Sequence, residues 1–195
     1  MTPPLWDQRL ARALVRPLVP TPVGPNLITA LGLGLGLGAA ASFAAGRPAW
    51  GGTLYVLAAL ADHADGELAR LSGKSSRWGH VFDRVASAVT TTLVFVGMGL
   101  GLDEAWFGSW GVALGLAAGA GVAALFGLAN LGERRAGAVG QGRRAGFEAE
   151  DVLYLIGPLA WFGWHGWFLV LAAVGAPAYL ALVLIRAAVR RRRQA

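Results

Sequence analysis

Long apolar stretches with few charged residues occupy most of this 195-residue chain, and several are as long as a membrane-spanning helix. Such a helix needs about 20 predominantly apolar residues. Charged residues make up 14% of the chain, whereas soluble domains carry about a quarter. The sequence therefore predicts an all-α membrane protein. Its apolar stretches are Asn26–Gly46, Trp50–Ala61, Val85–Leu102, Ala105–Gly132 and Val152–Ile185.

Basic residues are concentrated at alternate ends of these stretches, as the positive-inside rule describes for cytoplasmic segments. The clusters are Arg9–Arg16, Arg70–Arg84, Arg134–Arg144 and Arg186–Arg193. If all four are cytoplasmic, the last apolar stretch must cross the membrane twice and turn near Gly163–Gly166. We therefore expect one domain over 1–195, with six transmembrane helices over 23–192 and both termini in the cytoplasm. Because the positive charge follows the ends of the spans, we expect no nucleic-acid binding despite the net charge of +6.

The residues before the first apolar stretch combine basic and apolar side chains at helical spacing. Arg9, Arg12 and Arg16 are interspersed with Leu10 and Leu14, which gives one basic and one apolar face. This pattern is typical of helices that lie in the plane of a membrane surface. The sequence predicts an amphipathic helix over 3–17 on the cytoplasmic face of the cell membrane.

Three aspartates interrupt the second and third apolar regions, where charge is unfavourable. Each charged side chain at membrane depth costs roughly 2.5 to 3.5 kcal/mol. Asp62 and Asp65 are three residues apart and share one helix face, and Asp83 follows on the next helix after a short turn. Hard divalent cations such as Mg²⁺ prefer oxygen ligands and bind substrate phosphates. The three acids therefore predict a metal site at the cytoplasmic end of the bundle.

Small residues accompany these acids on both helices. Gly66 and Ala69 follow the first pair, and Gly79 precedes Asp83 by four residues. They leave room beside the metal for a ligand that carries phosphates. The alternative is a purely structural set of ion pairs with Arg70 and Arg84, which would not explain the small neighbours.

The spacing of these residues resembles a family motif. Asp62-x2-Asp65-Gly66-x2-Ala69-Arg70-x8-Gly79-x3-Asp83 is similar to the CDP-alcohol phosphatidyltransferase motif D-x2-D-G-x2-A-R-x8-G-x3-D-x3-D. Seven of its eight positions match. Pro25-Asn26-Leu27-Ile28-Thr29 also resembles the P-N-x-x-T segment with which the family enters its first span.

The resemblance implies a phosphatidyl transfer from a CDP-linked lipid, such as CDP-diacylglycerol, to a small alcohol, with release of CMP during phospholipid biosynthesis. It implies Mg²⁺ or Mn²⁺, up to two ions, held by Asp62, Asp65 and Asp83. It also implies a homodimer in the lipid bilayer. The nucleotide-binding residues implied by the resemblance are Asp62, Gly66, Ala69, Arg70, Gly79, Asn26 and Thr29.

Ser87 stands where the motif has its last aspartate. The resemblance implies that this aspartate is a ligand of the second metal and the general base for the attacking hydroxyl. A serine hydroxyl is weak in both roles. Catalytic candidates are therefore Asp83, Ser87 and His80, whose imidazole could act as a base or could be an interfacial residue without a role. Alternatively, the acceptor supplies its own base. In a third account the chain binds CDP-lipid and metal without transfer, as a pseudoenzyme or partner subunit.

A further basic cluster offers two interpretations. Arg134, Arg135 and Arg143 could bind a phosphorylated acceptor alcohol, or could serve only as positive-inside signals. A different class of function, a transporter or binding protein with the same metal site, is less favoured. Transporters are commonly built from paired repeats, and we find none in this sequence.

Overall fold

The structure, a computed structural model, describes residues 6–102, 108–136 and 149–192. Regular structure in these ranges is helical, which confirms the predicted all-α class. Two 3₁₀ segments, Arg16–Leu18 and Ala149–Leu155, accompany the α-helices. The helices are α1 (Trp6–Val15), α2 (Pro25–Ala44), α3 (Pro48–Ser72), α4 (Arg77–Leu100), α5 (Trp110–Ala136), α6 (Ile156–Trp161) and α7 (His165–Arg192).

Four segments of the described chain are long and apolar enough to cross a membrane: Pro25–Ala44, Arg77–Leu100, Trp110–Leu128 and His165–Ala187. Helix α3 has 25 residues, about 37 Å at 1.5 Å per residue, but its polar second half carries the acids. The shorter apolar segment Val152–Trp161 precedes α7. The helices thus support a membrane bundle, and the count of six crossings stays a prediction.

The junction between α3 and α4 is set by local sequence chemistry. Gly73 ends α3 in the left-handed conformation with φ of 68°, which glycine adopts without a steric penalty. Ser76 caps α4, and its Oγ accepts a hydrogen bond from the Gly79 backbone N–H at 2.9 Å. The Lys74 ammonium donates to the carbonyls of Thr21 and Val23 at 3.0 and 3.4 Å. The turn therefore brings the two acid-bearing helices together and ties them to the segment before α2.

Glycines allow the central helices to approach closely. A Cβ atom on Gly97 of α4 would lie 2.3 Å from the Ala40 carbonyl oxygen of α2. One on Gly115 of α5 would lie 2.5 Å from the Phe95 carbonyl oxygen of α4. Small residues permit such backbone contact in membrane bundles, where close packing replaces the hydrophobic drive between helices. The core beside these contacts includes Phe43, Val94, Phe95, Met98 and Leu169.

Helix α1 packs against the protein along part of its apolar side. Ala11 and Val15 are buried against Ala64 and Leu68 of α3. Leu10 and Leu14 remain exposed. The amphipathic helix predicted over 3–17 is found at Trp6–Val15, with residues 3–5 outside the described ranges. Its contact with α3 was not predicted, because periodicity identifies an apolar face and not its partner; its place on a membrane surface stays a prediction.

The predicted turn near Gly163–Gly166 coincides with the break between α6 and α7. Gly163 has φ of 77°, and α7 begins at His165. Pro177 lies inside α7, where a missing N–H and a ring clash bend a helix. The exposed aromatic side chains near this break are Trp161, Phe162, Trp164 and Trp167.

Candidate active site

A cavity of about 510 Å³ lies among α2, α3, α4, α5 and the 3₁₀ segment before α6. This volume falls within the usual range for small-molecule sites, roughly 300 to 1,000 Å³. The wall combines polar side chains, among them the acids, with alanines and aromatic rings. The polar wall residues are Thr29, Tyr55, Asp62, His63, Asp65, Arg70, His80, Asp83, Arg84, Ser87, Thr90, Thr91 and Tyr154. A cavity with both kinds of wall suits a ligand with a charged head and an apolar tail.

The three aspartates converge on this cavity as the spacing predicts. Asp62 on α3 and Asp83 on α4 both line this cavity. Asp65 is only 4% exposed, and the Thr29 hydroxyl donates to its Oδ2 at 2.5 Å. Thr29 comes from α2, so three helices contribute to the acidic end of the cavity.

Ser87 contacts the acids directly. Its Oγ donates to Oδ1 of Asp62 and also lies 3.1 Å from the Asp83 carbonyl oxygen, one turn earlier on α4. A hydroxyl has one proton to donate, so the two acceptors share it or alternate. The residue at the position of the missing acid therefore serves as a hydrogen-bond donor to Asp62.

The donor set suits a hard divalent cation. Three carboxylates from α3 and α4 face one cavity, and a cation would offset the repulsion between Asp62 and Asp83. Within the described residues, no group of three or more His, Cys, Asp or Glu side chains already has the arrangement of a metal-binding cluster. The three carboxylates therefore suit a divalent cation, although Asp65 and Asp62 accept hydrogen bonds from Thr29 and Ser87 in this conformation.

Glu67 is a polar residue that the sequence reasoning missed. It is 5% exposed and accepts hydrogen bonds from two arginines. Arg70 Nη2 lies 2.7 Å from Oε1, and Arg12 Nε of α1 lies 3.3 Å from Oε2. The three-residue spacing to Arg70 was a usable signal, because such residues are neighbours on a helix surface.

His63 and Tyr154 form a second missed contact on the cavity wall. The Tyr154 hydroxyl is 3.1 Å from His63 Nδ1, which is also 2.9 Å from the Ala59 carbonyl oxygen. A carbonyl only accepts, so we assign the imidazole proton to Nδ1 from this network. No local signal could predict the pair, since 91 positions separate the two residues.

The structure brings most of the predicted site residues together. Asn26, Ala69 and Gly79 are not on the cavity wall, and a Cβ on Gly79 would lie 2.9 Å from Asn26 Oδ1. Gly79 and Asn26 thus pack against each other, so any direct role of theirs in nucleotide binding stays a prediction. The predicted residues on the wall are Thr29, Asp62, Asp65, Gly66, Arg70, His80, Asp83 and Ser87.

The predicted acceptor-binding arginines cannot be placed against this cavity. Arg134 and Arg135 belong to the last turns of α5, but their side chains lie outside the described part of the structure. Arg143 lies wholly outside the described ranges. Their role in acceptor binding stays a prediction.

Comparison with known proteins gives this site its context. Residues 23–178 match the model of the CDP-alcohol phosphatidyltransferase family. This match covers most of the chain and includes Asp62, Asp65 and Asp83, so the chain belongs to that family. With its long apolar helices, it is an integral membrane protein.

One solved structure shows the same fold. Phosphatidylinositol phosphate synthase of Mycobacterium tuberculosis, in complex with manganese and citrate, superposes with a TM-score of 0.59. The superposition covers 87% of this chain and 83% of that one, at 21% sequence identity. At this identity the likeness establishes the fold alone.

A curated relative shares a shorter segment. The bifunctional IPC transferase and DIPP synthase of Rubrobacter xylanophilus is 38% identical over 84 residues, which are 43% of this chain. The match covers only 19% of that relative's length.

We predict that Thr29→Val destabilises the protein by removing the donor to Asp65 while keeping the side-chain shape. A buried acceptor without its donor costs about 1 to 3 kcal/mol. Thermal unfolding in detergent with a chelator should therefore occur at a lower temperature. Thr29→Ser keeps the hydroxyl and should unfold closer to wild type; equal losses for the two variants would contradict this account.

Proposed function

We propose that this protein transfers a phosphatidyl group from a CDP-linked lipid, such as CDP-diacylglycerol, to an alcohol and releases CMP. The observation that carries the proposal is the convergence of Asp62, Asp65, Asp83 and Arg70 on one cavity in a chain of this family. The apolar residues of its wall suit the lipid part of the donor, and the polar residues suit a diphosphate.

The reaction needs charge neutralisation and alignment more than covalent participation by the protein. The acceptor oxygen attacks the phosphorus attached to the lipid, and the bond from that phosphorus to the bridging oxygen breaks, so CMP leaves with the bonding electrons. The hydroxyl proton must pass to a base. Asp83 and His80 both lie on the wall and are the candidates for this proton.

Asp62, Asp65 and Asp83 are the residues that would hold Mg²⁺ or Mn²⁺, with up to two ions. A bound divalent ion supplies positive charge to the diphosphate and to the leaving CMP. Arg70 reaches the same cavity with a half-exposed side chain and would bind the nucleotide phosphates. Ser87 keeps Asp62 oriented by donating to its Oδ1.

The acceptor belongs to the class of small alcohols. The Mycobacterium tuberculosis protein is named for phosphatidylinositol phosphate synthesis, which favours testing a phosphorylated polyol first. Arg134, Arg135 and Arg143 would then bind the acceptor's phosphate, since arginine pairs well with phosphate oxygens.

Purified protein with Mg²⁺ and CDP-diacylglycerol should release CMP when one alcohol of a panel is present. The panel is glycerol 3-phosphate, inositol phosphate, inositol and serine. Replacing a residue that only supports a metal ligand already lowers activity about 10- to 100-fold. Asp62→Asn, which changes a proposed ligand itself, should lower the rate of CMP release at least as much. Absence of CMP with every alcohol and with both Mg²⁺ and Mn²⁺ would contradict the proposal, and would favour a chain that binds without transfer.

Ser87→Asp restores a fourth carboxylate beside Asp62 and Asp83. We expect half-maximal CMP release at roughly tenfold lower Mg²⁺ concentration, since about 1.4 kcal/mol of added attraction suffices for that change. Ser87→Asn has a similar shape without the charge and is the matched control. If Ser87→Asp titrates with Mg²⁺ like wild type, this position does not face the metal.

The membrane arrangement that we propose has six crossings, with both termini and the active site at the cytoplasmic side of the cell membrane. The basic clusters at alternate ends of the spans support it. The break at Gly163, with exposed tryptophans around it, fits an outer interface. The homodimer implied by the family resemblance belongs to the same proposal.

Because the chain has no cysteine, single cysteines can report this orientation. In right-side-out membrane vesicles, an impermeant maleimide should label Phe162→Cys, whose side chain is 77% exposed. Ser75→Cys, in the exposed turn after α3, should react only after the vesicles are opened. The reverse pattern would overturn the proposed sidedness.

A further inference from the structure

Glu67 is a buried acid of α3 that lies outside the cavity wall. It is almost completely buried, and both of its carboxylate oxygens accept hydrogen bonds from guanidinium groups. The two arginine side chains are more than half exposed, at 56% for Arg12 and 60% for Arg70. The buried Glu67 carboxylate therefore restrains the two exposed guanidinium groups.

The contact with Glu67 restricts the conformation of Arg70. The guanidinium atoms Nη1 and Nη2 would each lie 3.7 Å from a Cβ on Gly66. The side chain thus runs back along α3 toward Gly66, in the direction that helical side chains take, and reaches the cavity wall. A charge-assisted hydrogen bond at 2.7 Å from Nη2 to Glu67 holds this conformation.

Helix α1 approaches the same carboxylate from the other side. Ala11 and Val15 are buried against Ala64 and Leu68, which flank Glu67 on α3. This packing places Arg12 Nε 3.3 Å from Glu67 Oε2. The first helix of the chain is thereby connected to Arg70 through a single buried side chain.

We propose that Glu67 is a positioning residue that holds Arg70 for the nucleotide phosphates, and that α1 supports it through Arg12. The inference rests on the proposed function only in taking Arg70 as a contact of the CDP group. Helix α1 is then a part of the nucleotide site, in addition to any role at the membrane surface. Loss of either contact lets the Arg70 guanidinium move away from the cavity.

The test measures binding of CDP itself to the purified full-length protein in Mg²⁺, by calorimetry. Glu67→Gln should weaken CDP binding about tenfold, which corresponds to one charge-assisted hydrogen bond. Arg12→Gln should weaken it in the same direction by a smaller factor, about threefold. Arg16→Gln removes a positive charge from the neighbouring 3₁₀ segment and should leave binding unchanged.

A double-mutant cycle separates positioning from general structural damage. If Glu67 acts through Arg70, Glu67→Gln should cost nothing further in an Arg70→Gln background. An equal loss in both backgrounds, or wild-type CDP binding by Glu67→Gln, would overturn the proposal. Should Glu67→Gln fail to fold, Arg12→Gln set against Arg16→Gln decides the case, and equal CDP binding by those two would overturn it.

The same measurements distinguish this inference from the proposed reaction. Wild-type protein that binds CDP but releases no CMP would overturn the transfer, and Glu67 would still be judged on CDP binding. In an active protein, Glu67→Gln should raise KM for the CDP-lipid and leave KM for the alcohol unchanged. A matched rise in both KM values would count against positioning of Arg70.

Discussion

Carboxylates in an apolar helical bundle need polar partners, and this requirement determines how the helices of this protein meet. Desolvated charge without compensation is far more costly than any single packing contact. Asp65 is satisfied by Thr29 of α2, Asp62 by Ser87 of α4, and Glu67 by arginines of α1 and α3. Each acid on α3 thus has a partner on a different element. The contacts of Asp62 and Asp65 lie on the cavity wall, and glycines bring α2, α4 and α5 close together beside it.

Sequence spacing predicted those parts of the site that depend on one helix at a time. The positions of Asp62 and Asp65 follow from helical periodicity, and the Gly73 and Ser76 signals place Asp83 opposite them. Contacts between distant segments were not accessible in this way. Arg12 and Glu67 are 55 positions apart, and no pattern indicates which face of α3 receives α1. The same holds for His63 and Tyr154, whose contact depends on how the last part of the chain packs.

The family motif and the geometry of the site describe different properties of the same residues. Thr29 was predicted only by resemblance, as a nucleotide contact, and the structure shows a hydroxyl that donates to a buried acid. Gly79 was also predicted as nucleotide-binding; its missing Cβ makes room for Asn26, and a contact with the nucleotide stays a prediction. A motif shows which residues are required, but it does not show whether each one contacts the ligand or other residues of the protein. Geometry can separate those two cases.

The length of α7 connects the site to the bilayer itself. Its apolar part, His165–Ala187, has 23 residues and spans about 34 Å, slightly more than a hydrocarbon core of about 30 Å. Such a mismatch is accommodated by tilting or bending, and Pro177 lies within this helix. A Cβ on Gly121 of α5 would lie 3.0 Å from Pro177 Cδ. Ala123, two residues after Gly121, lines the cavity. The part of α7 that must adapt to the bilayer therefore packs against α5, a helix that also lines the cavity.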